Sequence, residues 1–141
     1  MYFRKDMTVT GNVTNFLGII LKHRFSQITT SINTSGTGYD LVAVNASFGN
    51  HFPNANISLI DGNFVRSGVP TSSSVQFASV TGSETTSQPT IVNASGNLTV
   101  PFRIASLTIG PLTQTNLTPF SNLNIVAGVK YNLRINVVPT D

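Results

Sequence analysis

The chain contains no cysteine and no tryptophan. Without cysteine it can form no disulfide, no thiolate metal site and no cysteine nucleophile, and it carries no cysteine to hold a lipid anchor. Charge is the second scarcity. Only 9% of the residues are Asp, Glu, Lys or Arg, against about 25% in an average soluble domain. A helical protein normally solvates its outer faces with Glu, Lys and Arg, and those are missing, whereas the abundant Thr, Val and Ile suit strands. An all-β fold with a hydroxyl and amide surface follows. Long apolar runs are also absent. The longest, Phe16 to Leu21, is broken by Gly18 and followed by Lys22, His23 and Arg24, far short of the roughly 20 residues of a spanning helix. No transmembrane segment is expected, and no charged-then-apolar leader precedes Met7, so an exported form would have lost its address.

The formal charge of +3 comes from few acids. The cations Arg4, Lys5, Lys22, Arg24, Arg66, Arg103, Lys130 and Arg134 are spread along the sequence and form no basic stripe, so nucleic acid is not an expected partner. Catalytic signatures are equally thin. His23 and His51 are the only imidazoles. His23 falls beside Leu21 and Phe25 on an apolar strand face, where a hydrogen-bonded core histidine is the simplest reading. Neither a close His pair nor a dense carboxylate loop suggests a metal. Asp61 belongs to a turn and Glu84 to a loop, and no serine lies in a GxSxG elbow. The chain reads as a non-enzyme with no cofactor and no metal. Asn-x-Ser/Thr occurs at Asn12, Asn33, Asn45, Asn56, Asn93, Asn97 and Asn116, a frequency that the Asn, Ser and Thr content generates by itself.

At 141 residues the chain fits one domain that buries roughly two thirds of its unfolded surface. Residues 1–16 read as an N-terminal arm or first strand, and 17–141 as the sandwich. Leu17 to Ile32 is the expected central strand: Ile19, Leu21, His23 and Phe25 share one face, and a bulge near Ser26 and Gln27 lets Ile28, Thr30 and Ile32 continue inward. Within the arm, MTVT could form a short strand. Asn33 to Gly38 is a loop, and Tyr39 to Phe48 an internal strand. Asn56 to Ile60 leads to an Asp61-Gly62 hairpin turn. Arg66 to Ser74 is turn-like, Val75 to Val80 a strand, and Thr81 to Pro89 the most loop-like stretch. Leu98 to Ile109 alternates, with Pro101 marking an edge or a bulge. Gly110 to Pro119 reads as a polar connection, Phe120 to Val126 as a strand, and Ala127-Gly128 as a turn. In the last strand Val129, Tyr131, Leu133, Ile135 and Val137 face inward and Lys130, Asn132, Arg134 and Asn136 outward. Seven to nine short strands without a helical period describe a Greek-key β-sandwich.

Three segments, LKHRFSQITTSI, SLIDGNF and AGVKYNLRINV, together resemble the fimbrillin-like proteins of Bacteroidetes. There, an apolar-His-x-Phe/Leu-Ser/Ala-x-apolar strand opens the domain, matched by Leu21, His23, Phe25, Ser26 and Ile28. A Gly-x-x-Tyr-x-apolar strand closes it, matched by Gly128, Tyr131, Leu133 and Ile135. The resemblance implies a transthyretin-like sandwich at the outer-membrane or extracellular surface, without catalysis, built into a fimbria (pilus) through terminal strand exchange. Its partners would be copies of itself or other pilus subunits. The chain departs from that family in having one domain's length and no lipid-attachment cysteine. The strands expected to assemble carry Tyr2, Phe3, Met7 and Val9 at one end and Tyr131, Leu133, Ile135 and Val137 at the other. The alternative is a surface module that recognises a glycan or a host or bacterial protein through Asn33 to Gly38 or Thr81 to Pro89. The lack of tryptophan platforms weighs against sugar.

Overall fold

The computed structural model describes residues 3–93 and 97–139. They form an all-β structure, with one 3-10 turn at Ser35–Thr37. The strands are β1 (Ser26–Asn33), β2 (Leu41–His51), β3 (Asn54–Ile57), β4 (Phe64–Ser67), β5 (Thr71–Ser74), β6 (Glu84–Thr86), β7 (Thr90–Val92), β8 (Asn97–Ile109), β9 (Leu112–Val126) and β10 (Lys130–Asn136). One four-stranded sheet places β1 between β10 and the short pair β6 and β7; the other runs β5-β2-β8-β9; β3 and β4 form a separate hairpin. A single apolar cluster joins Ile28 and Ile32 of β1 and Val92 of β7 to Ala46 and Phe48 of β2, Val100, Phe102, Ile104 and Leu107 of β8, and Ile125 of β9. Core residues from both sheets therefore meet across one interior, an arrangement compatible with a β-sandwich.

β1 is the centre of its sheet, as expected, but it starts at Ser26 rather than Leu17. Its inward set is correct: Ile28, Thr30 and Ile32 are at most 1% exposed. Residues 17–25 contribute no strand beyond an isolated bridge at Lys22. No bulge connects the two halves, because the apolar face ends where the sheet ends: Leu17, Ile19, Leu21 and Phe25 are exposed. The MTVT segment also forms no strand. The closing strand pairs in parallel with β1, from Gln27↔Lys130 to Asn33↔Asn136. Within the strand its alternation is as read, with Tyr131, Leu133 and Ile135 half-buried and the intervening polar residues exposed, but Val129, expected to face inward, lies before the strand and is exposed.

Elsewhere pairing overrides local composition. Thr71–Ser74, read as a turn, is β5 on the edge beside β2. Val75 to Val80, read as a strand, makes only the bridge Phe77↔Ser87, although Val75 is buried. Within the loop-like Thr81 to Pro89, β6 docks on β1 through Ser31↔Thr86 and Asn33↔Glu84. Leu112 to Pro119, read as a connection, belongs to the 15-residue β9. Pro119 is tolerated there because β9 is an edge strand and an edge leaves some N–H positions without a ladder partner. Pro101 instead lies on internal β8, beside a register shift, and faces Gly49, where a Cβ would come within 2.4 Å of the proline ring. The hairpin around Asp61-Gly62 is present, but its loop spans residues 58–63 rather than two residues, with Gly62 at φ 73°.

Candidate functional site

Residues 3–25 run along the outside of the fold. The arm exposes Val9, Val13, Phe16, Leu17, Ile19, Ile20 and Leu21; Phe16 is 86% exposed and Ile20 75%. No residue of this arm belongs to the buried core. A water-facing apolar series of this length is unusual, because a monomer gains by burying such surface. Of the expected assembly residues in the arm, Phe3 is half-buried, Met7 and Val9 are exposed, and Tyr2 lies outside the described residues. His23 is exposed rather than a core histidine, because the strand expected to bury it is not formed.

The four expected assembly residues at the other end border an open flank. β9 ends one sheet and β10 ends the other, and among the described strands none pairs with the outer edge of either. The turn at residues 127–129 carries the chain from one edge to the other, and the Tyr131 hydroxyl accepts a hydrogen bond from the Val126 N–H at 2.9 Å. Along this flank Leu117, Phe120 and Leu123 of β9, together with Tyr131, Leu133, Ile135 and Val137, are only partly buried against the core. At its far end they open into a groove of about 480 Å³, lined by Tyr39, Leu107, Leu112, Leu117, Val137 and Val138 among others. The flank thus combines unpaired backbone with apolar side chains at strand spacing, the two features that an added strand uses.

The remaining polar sites have structural explanations. His51 is 4% exposed. Its Nδ1–H donates to the Gly49 carbonyl at 3.2 Å, and its Nε2 accepts from the Ser73 hydroxyl, also at 3.2 Å. This resembles a nucleophile and base only superficially. The third member is a backbone carbonyl, and the bonds tie edge strand β5 to the end of β2. Among the described residues no group of three or more His, Cys, Asp or Glu could hold a metal ion, and no helix is long and apolar enough to cross a membrane. Hydrogen bonds from the Ser58 side chain and the Asn63 N–H, the latter at 2.9 Å, hold the Asp61 carboxyl below its ordinary range. That bonding shapes the hairpin loop. Of the candidate recognition loops, Asn33 to Gly38 carries the 3-10 turn, and the middle of Thr81 to Pro89 is occupied by β6.

No protein-family model matches the chain, and no curated protein is significantly similar to it. The functional reading therefore rests on the arm and the flank.

Proposed function

We propose that the chain is a non-enzymatic structural protein of the cell surface, a fimbrial subunit or fimbrillin-like domain that assembles by terminal strand exchange. In this reading its sandwich has the transthyretin-like Greek-key topology, it is displayed outside the cell, and its partner is a copy of itself or another pilus subunit. The observation that carries the reading is the exposed apolar series of the N-terminal arm, which leaves the chain's own core complete. The arm donates and the flank accepts. An arm laid along β9 or β10 would satisfy a row of backbone donors and acceptors and place alternate side chains among Leu117, Leu133 and Val137. β10 is the accepting edge rather than the donor, since its pairing with β1 makes it part of its own fold.

The test is the assembly state of the full chain and of a version lacking residues 1–21, by size-exclusion with light scattering and negative-stain microscopy. Oligomers or filaments that disappear with the arm support strand exchange. Monomers in both cases, equally resistant to heat, overturn it.

A further inference from the structure

The net charge of the chain falls on two of its segments. The arm and the β3–β4 hairpin hold Arg4, Lys5, Lys22, Arg24 and Arg66 against Asp6 and Asp61, which leaves +3, while the three cations and three acids of the rest of the chain cancel. Four of the five cations lie within residues 4–24, and the fold sets that arm against the hairpin that carries Arg66. Arg4 donates from Nη1 to the Ile60 carbonyl at the hairpin tip. Arg24 lies over the Phe64 ring at 5.9 Å, and Phe25 meets the same ring edge-on at 6.1 Å. Arg4 also pairs with Asp6 at 3.6 Å in an exposed contact, and Lys5 and Lys22 are exposed as well.

The same pole is apolar. Leu59 and Ile60 at the tip are 77% and 76% exposed, and Val69 just beyond the hairpin is 77% exposed. Together with the arm they account for most of the exposed large apolar side chains among the described residues. An isolated two-stranded hairpin is marginal in water. This one is secured at its base, where Asn93 Nδ2 donates to the Asn54 carbonyl at 2.8 Å, and its tip projects Leu and Ile into solvent.

We propose that this pole binds an anionic lipid surface, with Leu59 and Ile60 entering the interfacial region and the arm and hairpin cations meeting the headgroups. Charge decides among possible occupants. A second copy would bring the same +3 pole or a neutral one, whereas a phosphate-bearing bilayer complements both the cations and the apolar tip. The inference does not require strand exchange, since a monomer with its arm against its own hairpin can bind in this way.

The experiment is co-sedimentation of the full chain with vesicles of phosphatidylcholine containing about one third phosphatidylglycerol, and with phosphatidylcholine alone, at about 0.1 M and 1 M salt. Binding is expected to the anionic vesicles only and to be lost at high salt. Lys5→Gln with Lys22→Gln is expected to weaken it by about 25-fold, roughly fivefold for each cation. Leu59→Ser with Ile60→Ser, both at exposed positions, is expected to weaken it by more than about tenfold, and Arg103→Gln on β8 to leave it unchanged. Circular dichroism of each variant separates lost binding from lost fold. Equal binding to neutral vesicles, equal loss with Arg103→Gln, or no binding by a chain that instead self-associates through the tip would each overturn the proposal.

Discussion

Phe48, Phe102 and Phe120 stand in register across β2, β8 and β9, with ring centroids 5.2 and 6.5 Å apart. Phe48 and Phe102 are fully buried, so the middle of this ladder is where one side chain holds three strands together. Thr30 presents the opposite case. Its N–H donates to the Ser87 hydroxyl at 2.9 Å, yet its own hydroxyl is buried without a protein partner. A buried hydroxyl left unpaired costs about 1–3 kcal/mol. The two sites should therefore respond in opposite directions. Phe102→Ala leaves a large cavity and should cost about 3–5 kcal/mol. Thr30→Val keeps the shape, removes the unpaired group and should stabilise by about 1 kcal/mol. Urea denaturation of both variants checks this, and a destabilised Thr30→Val would mean that a buried water serves the hydroxyl.

Among the elements, the two chain ends contribute differently to stability. The arm places nothing in the core, whereas β10 pairs with β1 over its own full length and packs Tyr131, Leu133 and Ile135 against the interior. Removing residues 1–21 should change stability by less than about 1 kcal/mol, as for surface changes generally. Removing everything from Lys130 should abolish the cooperative transition, because β1 would lose its parallel neighbour. Thermal melts of the two truncations decide which end can be given up. This asymmetry was only half legible in the sequence. The strict alternation of Val129 to Val137 identified the last strand and its buried face, and Ile28, Thr30 and Ile32 were identified as inward. The apolar periodicity of Leu17 to Phe25 is as good as that of a core strand, and nothing local distinguishes a strand that pairs at home from one that does not. β5, β6 and the first half of β9 were missed because they are mostly Ser, Thr and Asn, show no apolar alternation and pair at edges, even though Thr85 of β6 is buried. Their strand character comes from the backbone partner rather than from their own pattern. The open flank was foreshadowed only by its β10 residues, since half of it lies on β9. The basic pole was illegible because nothing in the sequence tells that the arm with Arg4, Lys5, Lys22 and Arg24 lies against the β3–β4 hairpin.

At the scale of the whole molecule, the first and last strands of the sheet structure lie side by side. The Ser26 hydroxyl donates to the Val126 carbonyl across 100 residues of sequence, and the register from Gln27↔Lys130 continues that closure in parallel. Every strand between them is thus enclosed in one loop, and the β1–β10 ladder cannot form until the chain has paid the entropy of bringing its ends together. Parallel pairing offers no hairpin to nucleate it. Folding should accordingly be slow for the chain's size, in the range of milliseconds to seconds typical of β-sandwiches, and the arm should play no part in it. Stopped-flow refolding from urea, followed by tyrosine fluorescence, to which Tyr39 and Tyr131 contribute in both chains and Tyr2 in the full chain alone, should give the same main rate with and without residues 1–21. Tyr131 reports directly, because its hydroxyl bonds the Val126 N–H only once the turn between β9 and β10 is in place. If the truncated chain refolds several-fold more slowly, the arm takes part in closing the sandwich. It would then be an intramolecular strand rather than one held in reserve for a neighbour. Equal rates leave it free to act after the fold is complete, as exchange between folded subunits requires.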